Sequence, residues 1–409
     1  MGGSRTAPTG AGRIRAIFAV NGSFTHQRPA LRASRFAVLT VFFVNGLVIG
    51  TWVVRIPAIK EKLGLGEGLL GVALLGAAAG ALVAMPIVGA LVSRFGSRRI
   101  VGAAALLISA SLLLPALAPS LLLLVPAVVI LGAANGGLDV AMNAQAVAVE
   151  RGYGRPIMSS FHAAWSFGGL AGAALGGLIA SQGVVPLPHF AAVAVPAAVA
   201  FAAAYGALLP SGADASVEGT PAFARPTRAL LGLGLISFCV LLGEGAMGDW
   251  SAVYLDDTLR TGPGFAAAGY AAFSLSMAFG RLFGDRFTEL LGPATLVRSC
   301  GAIAAVGLGI ALAAAQPYIA LAGFACAGAG FSVIFPTALS AAGRTGGPTG
   351  PALAAVTTAA YTGFLVGPPF IGFLAELTGL GSALYLVVAL SATVILLAGA
   401  VNTGAEKPK

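Results

Sequence analysis

Twelve apolar stretches, each long enough to cross a bilayer, run from about Phe36 to about Val401, and no other feature of the chain constrains its fold as tightly. A hydrocarbon core of about 30 Å takes about 20 residues of helix per crossing. Backbone polar groups in lipid must satisfy one another within helices or a closed barrel. A barrel would read as alternating segments of about 10 residues. These stretches are continuous, rich in Ala, Leu and Gly, and broken by charged or Pro/Gly corners. The expected fold class is therefore an all-α membrane protein with twelve transmembrane helices in two six-helix bundles. Charged residues make up only 9% of the 409, against about 25% in a soluble chain, so a bilayer is the expected solvent and partner.

The spans are placed near 36–59, 68–92, 99–118, 121–147, 157–181, 187–209, 229–254, 264–284, 294–314, 317–341, 350–375 and 380–401. An even number puts both termini on one side. Nineteen of the 23 Lys and Arg residues, Arg281 among them, then fall on that side, leaving Arg55, Lys60, Lys62 and Arg260 on the other. Because basic loops stay cytoplasmic, both termini are expected inside. The net charge of +9 is thus a topology signal. With no basic soluble domain to carry it, no nucleic-acid partner is expected.

Residues 1–34 are rich in Gly, Arg and Ala without periodicity and read as a disordered cytosolic tail, an over-extended start of the reading frame being one explanation. Ala16 to Val20 is too short for a signal-peptide core. The polar stretch Ser211 to Thr227 divides the chain into a bundle over 35–209, a linker over 210–228 and a bundle over 229–401, with a tail over 402–409. Two echoes cross the linker: Gly50-Thr-Trp52 returns as Gly248-Asp-Trp250, and Leu91-Val-Ser-Arg-Phe95 as Phe283-Gly-Asp-Arg-Phe287. Parallel halves related by an axis along the membrane normal are one way secondary transporters are built. Cys239, Cys300 and Cys326 fall in separate spans and read as small core residues.

Gly89-Ala-Leu-Val-Ser-Arg-Phe-Gly-Ser-Arg-Arg99, placed after the second span, resembles the G-x-L-a-D-R-x-G-R-R loop of the major facilitator superfamily. The resemblance implies the major facilitator fold and a gate in which the loop contacts the neighbouring half. The family's acid is Ser93 in the first copy and survives as Asp285 in the second. The gate on this side is therefore expected to rely on Asp285 with Arg281 and Arg286, together with Arg94. Arg55 and Asp249, at nearly equivalent outer positions of spans one and seven, are expected to pair when the outer gate closes.

Asp139 lies within the fourth span, and Asn135, Asp139 and Asn143 recur every four residues as one polar stripe. A carboxylate there sits in a wet cavity, pairs with a cation or titrates. The last outcome makes Asp139 a proton-coupling candidate; the competing reading is a polar brace held by Asn135 and Asn143. Leu138-Asp-Val-Ala-Met-Asn143 resembles the L-E-x-A-x-N run of the fucose/proton symporter group, whose carboxylate is the protonation site. His162-Ala-Ala-Trp-Ser-Phe-Gly168 is similar to that group's Q-x-F-N-S-F-G, with His162 and Trp165 replacing polar sugar contacts. Val53 stands where the group has a second functional Asp, so fucose itself is disfavoured. The whole chain looks closer to the little-characterised bacterial inner-membrane branch, in which Gly243-Glu-Gly-Ala-Met-Gly-Asp-Trp250 is a recognisable run.

Glu244, on a stripe with Ser237 and Ser251, is the second proton-coupling candidate. Asn45, Asn135, Asn143, His162, Trp165 and Tyr361 form the expected substrate cavity. Gly168, Gly172 and Gly176 make a small-residue face on span five, and Gly363, Gly367, Pro368, Pro369 and Gly372 are expected to interrupt span eleven. No G-x-S-x-G, H-E-x-x-H or G-x-x-x-x-G-K-[ST] occurs, which argues against an enzyme and against direct use of ATP. No cofactor or metal is expected. There are no evident rings of charge or filter loops of the kind channels use. What remains is a monomeric secondary transporter moving a small-molecule substrate with protons, first as symport of a small polar or sugar-like solute. The alternatives are a proton-driven efflux antiporter and a transport-inactive receptor or scaffold.

Overall fold

The computed structural model describes residues 10–65, 67–210, 227–261, 263–345 and 349–402, and among them the regular structure is helical. The twelve helices are α1 (Gly10–Leu63), α2 (Glu67–Phe95), α3 (Ser97–Leu117), α4 (Leu121–Tyr153), α5 (Met158–Ser181) and α6 (Pro186–Tyr205). The second six are α7 (Arg228–Val253), α8 (Pro263–Leu291), α9 (Pro293–Ala314), α10 (Pro317–Ala342), α11 (Thr349–Thr378) and α12 (Leu380–Asn402). Eleven contain a segment long and apolar enough to cross a membrane. The exception, α8, carries Arg281, Asp285, Arg286 and Glu289 along its last three turns.

The two halves pack by one plan. In the first, α1 lies on α5 and α6, α4 on α2 and α3, and α3 on α6. In the second, α7 lies on α11 and α12, α10 on α8 and α9, and α9 on α12. The halves meet where α2 packs on α11 and α5 on α8. Lipid tails are as apolar as leucine, so close backbone approach through small residues replaces the hydrophobic effect as the packing force. The α1–α5 seam shows this: a Cβ at Gly46 or Gly168 would collide with the Trp165 or Phe43 carbonyl, and one at Gly172 with that of Leu47.

The ends of α1 and α12 share one face. Gly152 at the end of α4 packs near Leu31, and Glu150 shares a cavity with Val401 and Asn402. We call this the termini face. It is where the halves close on each other: a Cβ at Gly89 of α2 would meet the Ala354 side chain and the Gly350 carbonyl of α11, while Gly343 beyond α10 abuts Val147 of α4.

The backbone of α1 is helical from Gly10; once a long helix is nucleated, each further residue adds a hydrogen bond at little cost. Residues 1–9, 211–226 and 403–409, which include most of the linker and the second tail, lie outside the described residues. Span eleven is not interrupted, since α11 runs unbroken from Thr349 to Thr378. Its glycines serve packing instead: a Cβ at Gly363 would strike the Phe238 carbonyl of α7, and one at Gly367 would press on Leu242.

Candidate functional site

Asp139 lies midway along α4 and is 8% exposed. Its helical neighbour one turn on, Asn143, donates Nδ2 to the Asp139 carbonyl oxygen at 2.8 Å and to Oδ1 at 3.1 Å. No donor among the described residues reaches Asp139 Oδ2, and Asn135 Oδ1, one turn back, is likewise without a donor. Tyr361 of α11 approaches Asn135 and Asp139 from the other bundle. Asn143 Oδ1 continues the chain to His162 Nε2 of α5 at 3.2 Å. The His162 ring sits between Phe42 of α1 and Phe335 of α10, with centroids 5.3 and 5.8 Å away. Asn45 is buried on α1, its Nδ2 4.0 Å from Met142 Sδ, and Trp165 is half-buried one turn along α5 from His162. Asn135, Asn143, His162 and Tyr361 therefore do gather around Asp139.

The second acid is not isolated. Glu244 Oε2 pairs with Arg281 Nη2 of α8 at 3.4 Å, with side-chain exposures of 15% and 7%. The positive-inside rule places Arg281 on the cytoplasmic face; it lies one turn inside Asp285 and turns inward because three partners await it. Nη1 donates to Ser166 Oγ of α5 at 2.8 Å, and Nε to the Ser332 carbonyl at 3.3 Å. That carbonyl is available for a reason visible in the sequence: its helical donor would be residue 336, a proline without N–H. Arg281 thus joins α7, α8 and α10 to α5 of the opposite half, within electrostatic reach of His162. Ser237 and Ser251, on the Glu244 stripe, are fully buried.

Around the first turn of α5 on the termini face, two carboxylates from opposite halves share the work of capping. Glu150 Oε2 accepts from the N–H groups of Ile157 and Met158, both at 2.9 Å. Asp285 accepts from Ser159 N at 2.7 Å and Ser160 N at 3.0 Å. All four leading donors of α5 are therefore paired with negative charge at the positive end of the helix. Glu150 also accepts from Ser340 and pairs with Arg344 at 3.6 Å. Arg155 meets Glu289 at 3.1 Å, and Arg151 Nη2 reaches Thr349 Oγ1 at 3.3 Å. Sequence reading missed Glu150, which a charge count treats as one more headgroup-level acid beside Arg151.

Of the expected gating residues, Asp285 bonds across the halves, to Ser159 N and Ser160 N. Arg94 is exposed over the Phe95 ring at 5.1 Å, and Arg286 is 70% exposed and faces Glu289 of its own helix at 3.9 Å. Long exposed arginines gain little from leaving water for a single partner; Gly89, not Arg94, makes the first copy's contact across the halves. Arg55 and Asp249 do not pair in this conformation. Arg55 is buried and donates to the Val184 carbonyl beyond α5, whereas Asp249 is exposed.

The clamp on α5 gives a first expected result. Asn in place of Asp285 removes the charge-assisted character of two bonds across the halves, worth about 1.5 to 3 kcal/mol when a charged group is involved. In a cysteine-free background, Met158→Cys, buried here, is expected to react with maleimide at least tenfold faster once Asp285→Asn is added; an unchanged rate would show that the carboxylate does not hold the face shut.

A sequence profile of the Major Facilitator Superfamily matches residues 38–348. An uncharacterised MFS-type transporter of Yersinia pestis is 36% identical over 362 residues, covering 88% of this chain and 94% of the relative. The E. coli fucose:proton symporter shares the fold, with a TM-score of 0.72 at 15% identity over 89% of this chain and 97% of that one. A second structure of the fucose symporter, in the outward conformation, superposes with a TM-score of 0.71 at 16% identity, over 89% of this chain and 97% of that one.

Proposed function

Because this chain belongs to the Major Facilitator Superfamily and is one of its membrane transporters, we propose that it moves a small solute by alternating access, coupled to protons through Asp139. The termini face is assigned to the bacterial cytoplasm, since Arg94, Arg98, Arg99, Arg151, Arg155, Arg286 and Arg344 cluster there. The conformation described is then outward-facing, with its inner gate closed on the first turn of α5.

One observation carries the proton assignment: Asp139 is buried, yet among the described residues only one of its two oxygens receives a hydrogen bond. An ionised carboxylate so placed costs several kcal/mol more than the neutral acid. Taking up a proton from outside removes that cost and gives Oδ2 an O–H. The loaded cavity then crosses the closed state as a neutral body, and release to the cytoplasm restores the charge. Asn143 fixes the orientation of the acid and links it to His162. Glu244 is the second acid of the cycle.

Symport of a small polar or sugar-like solute is the first reading, supported by the fucose:proton symporter's likeness in fold. The apolar rings of Phe42 and Phe335, packed on His162, favour a less hydrophilic cargo and support a second reading, efflux in exchange for protons. The test is to reconstitute the protein with a pH dye in the lumen and add sugars and small amphiphiles outside. A solute that acidifies the lumen supports symport, one that alkalinises it supports antiport, and solute flux with no proton movement removes the coupling. The protomer is proposed to work as a monomer, with its cavity complete in one chain.

A further inference from the structure

We propose that Arg281 is a positioning residue that couples the charge on Glu244 to closure of the cytoplasmic gate. The idea rests on the reading of Glu244 as a proton-accepting group and adds what its charge state does to the rest of the molecule. Arg281 and Asp285 stand one helical turn apart on α8, and both bond to α5: Asp285 to the N–H groups of Ser159 and Ser160, Arg281 to Ser166 Oγ. The two form consecutive rungs of the α5–α8 seam, one of the two where the halves meet.

Only the inner rung depends on the cavity. The guanidinium fork fixes its nitrogens relative to one another, so the bond of Nη2 to Glu244 and of Nε to the Ser332 carbonyl aims Nη1 at Ser166. When Glu244 is charged, the fork is neutralised and held. When Glu244 is neutral, Arg281 becomes a buried cation without a counter-ion, an arrangement that low-dielectric surroundings resist. It then has reason to turn toward water or toward His162, and the rung to Ser166 is lost. The other ionisable groups around this fork are His162 on α5 and Asp285 on the next turn of α8. Protonating Glu244 from outside thereby loosens the gate inside. An exporter and an importer both need such a link, so the device is independent of the direction of transport.

The test needs no substrate. An ideal Cβ at Gly343 stands 3.3 Å from Val147 Cβ, close to the roughly 3.8 Å mean of disulfides, and Val147→Cys removes the methyl groups that would obstruct it. In a full-length protein carrying Cys239→Ala, Cys300→Ala and Cys326→Ala, the Val147→Cys/Gly343→Cys pair should oxidise readily while the inner gate is shut. Glu244→Gln, Ser166→Ala and Arg281→Lys are each expected to slow cross-linking about tenfold, the effect of losing one hydrogen bond to a charged group. Glu244→Gln with Ser166→Ala should be no slower than either alone, because both break the same rung. An unchanged rate in Ser166→Ala, or effects that multiply in the double variant, would overturn the proposal. Should Glu244→Gln not fold, Ser166→Ala and Arg281→Lys decide the matter. A gate that responds as expected while solute flux ignores protons would instead remove the coupling reading and leave the latch standing.

Discussion

Asp139→Asn is expected to abolish concentrative transport while sparing solute exchange, and to flatten the pH dependence of that exchange. Asn is nearly isosteric with the protonated acid and keeps an oxygen for Asn143 Nδ2, which now donates to Oδ1 at 3.1 Å. It cannot take or release a proton. In the wild type, raising the external pH leaves more of the protein with a charged Asp139. Its reorientation is slowed by the cost of a carboxylate at the centre of a membrane helix, about 3 kcal/mol, or roughly 100-fold in rate. Exchange by the wild type should therefore fall as the pH rises, whereas Asp139→Asn should exchange at the fast rate throughout. Radiolabelled counterflow across a pH series checks this. A variant that still accumulates solute against its gradient would return Asp139 to the role of a polar brace.

The second large effect is structural. Gly168→Val should cost most of the folded protein, because a Cβ at that position falls on the Phe43 carbonyl of α1. Overpacked cores usually lose about 1 to 3 kcal/mol when side chains can yield. A backbone carbonyl inside a helix cannot yield without moving the helix, and α1–α5 is held by Gly46 and Gly172 in the same way. Gly177 lies on the same helix with no atom within 4 Å of its ideal Cβ, so Gly177→Val is the matched control. Thermal melting in detergent should show Gly168→Val far below the wild type and Gly177→Val close to it. Equal melting of the two variants would mean that the α1–α5 seam is not the close contact described.

The architecture was legible because bilayer thickness imposes a length on every span, and Asp139 with Asn143 was legible because four residues bring side chains to one face of a helix. The partners of Glu244 were not legible. The positive-inside rule assigns an arginine to the nearer end of its span, and so placed Arg281 outside the cavity; only the packing of α8 against α7 and α10 shows the carboxylate and the proline-freed carbonyl that draw it in. The spacing of Ser332 and Pro336 was a sequence signal for an unpaired acceptor, but nothing in it says which helix will answer. Glu150 was missed for a related reason. Its partners, the N–H groups of Ile157 and Met158 and the side chains of Ser340 and Arg344, lie on a helix start and on the other half of the chain. The glycines of α11 suggest a break in the span, yet close approach to α7 demands glycine just as bending does.

Ligand-triggered proton exchange by the purified protein tests the central claim most directly. Wild type and Asp139→Asn in weakly buffered detergent are titrated with the solute identified in liposomes, and the buffer pH is followed. The account predicts a proton signal that saturates with the solute in the wild type and is absent in Asp139→Asn, although both bind. Equal signals, or binding by both proteins with no protons moved, would contradict it.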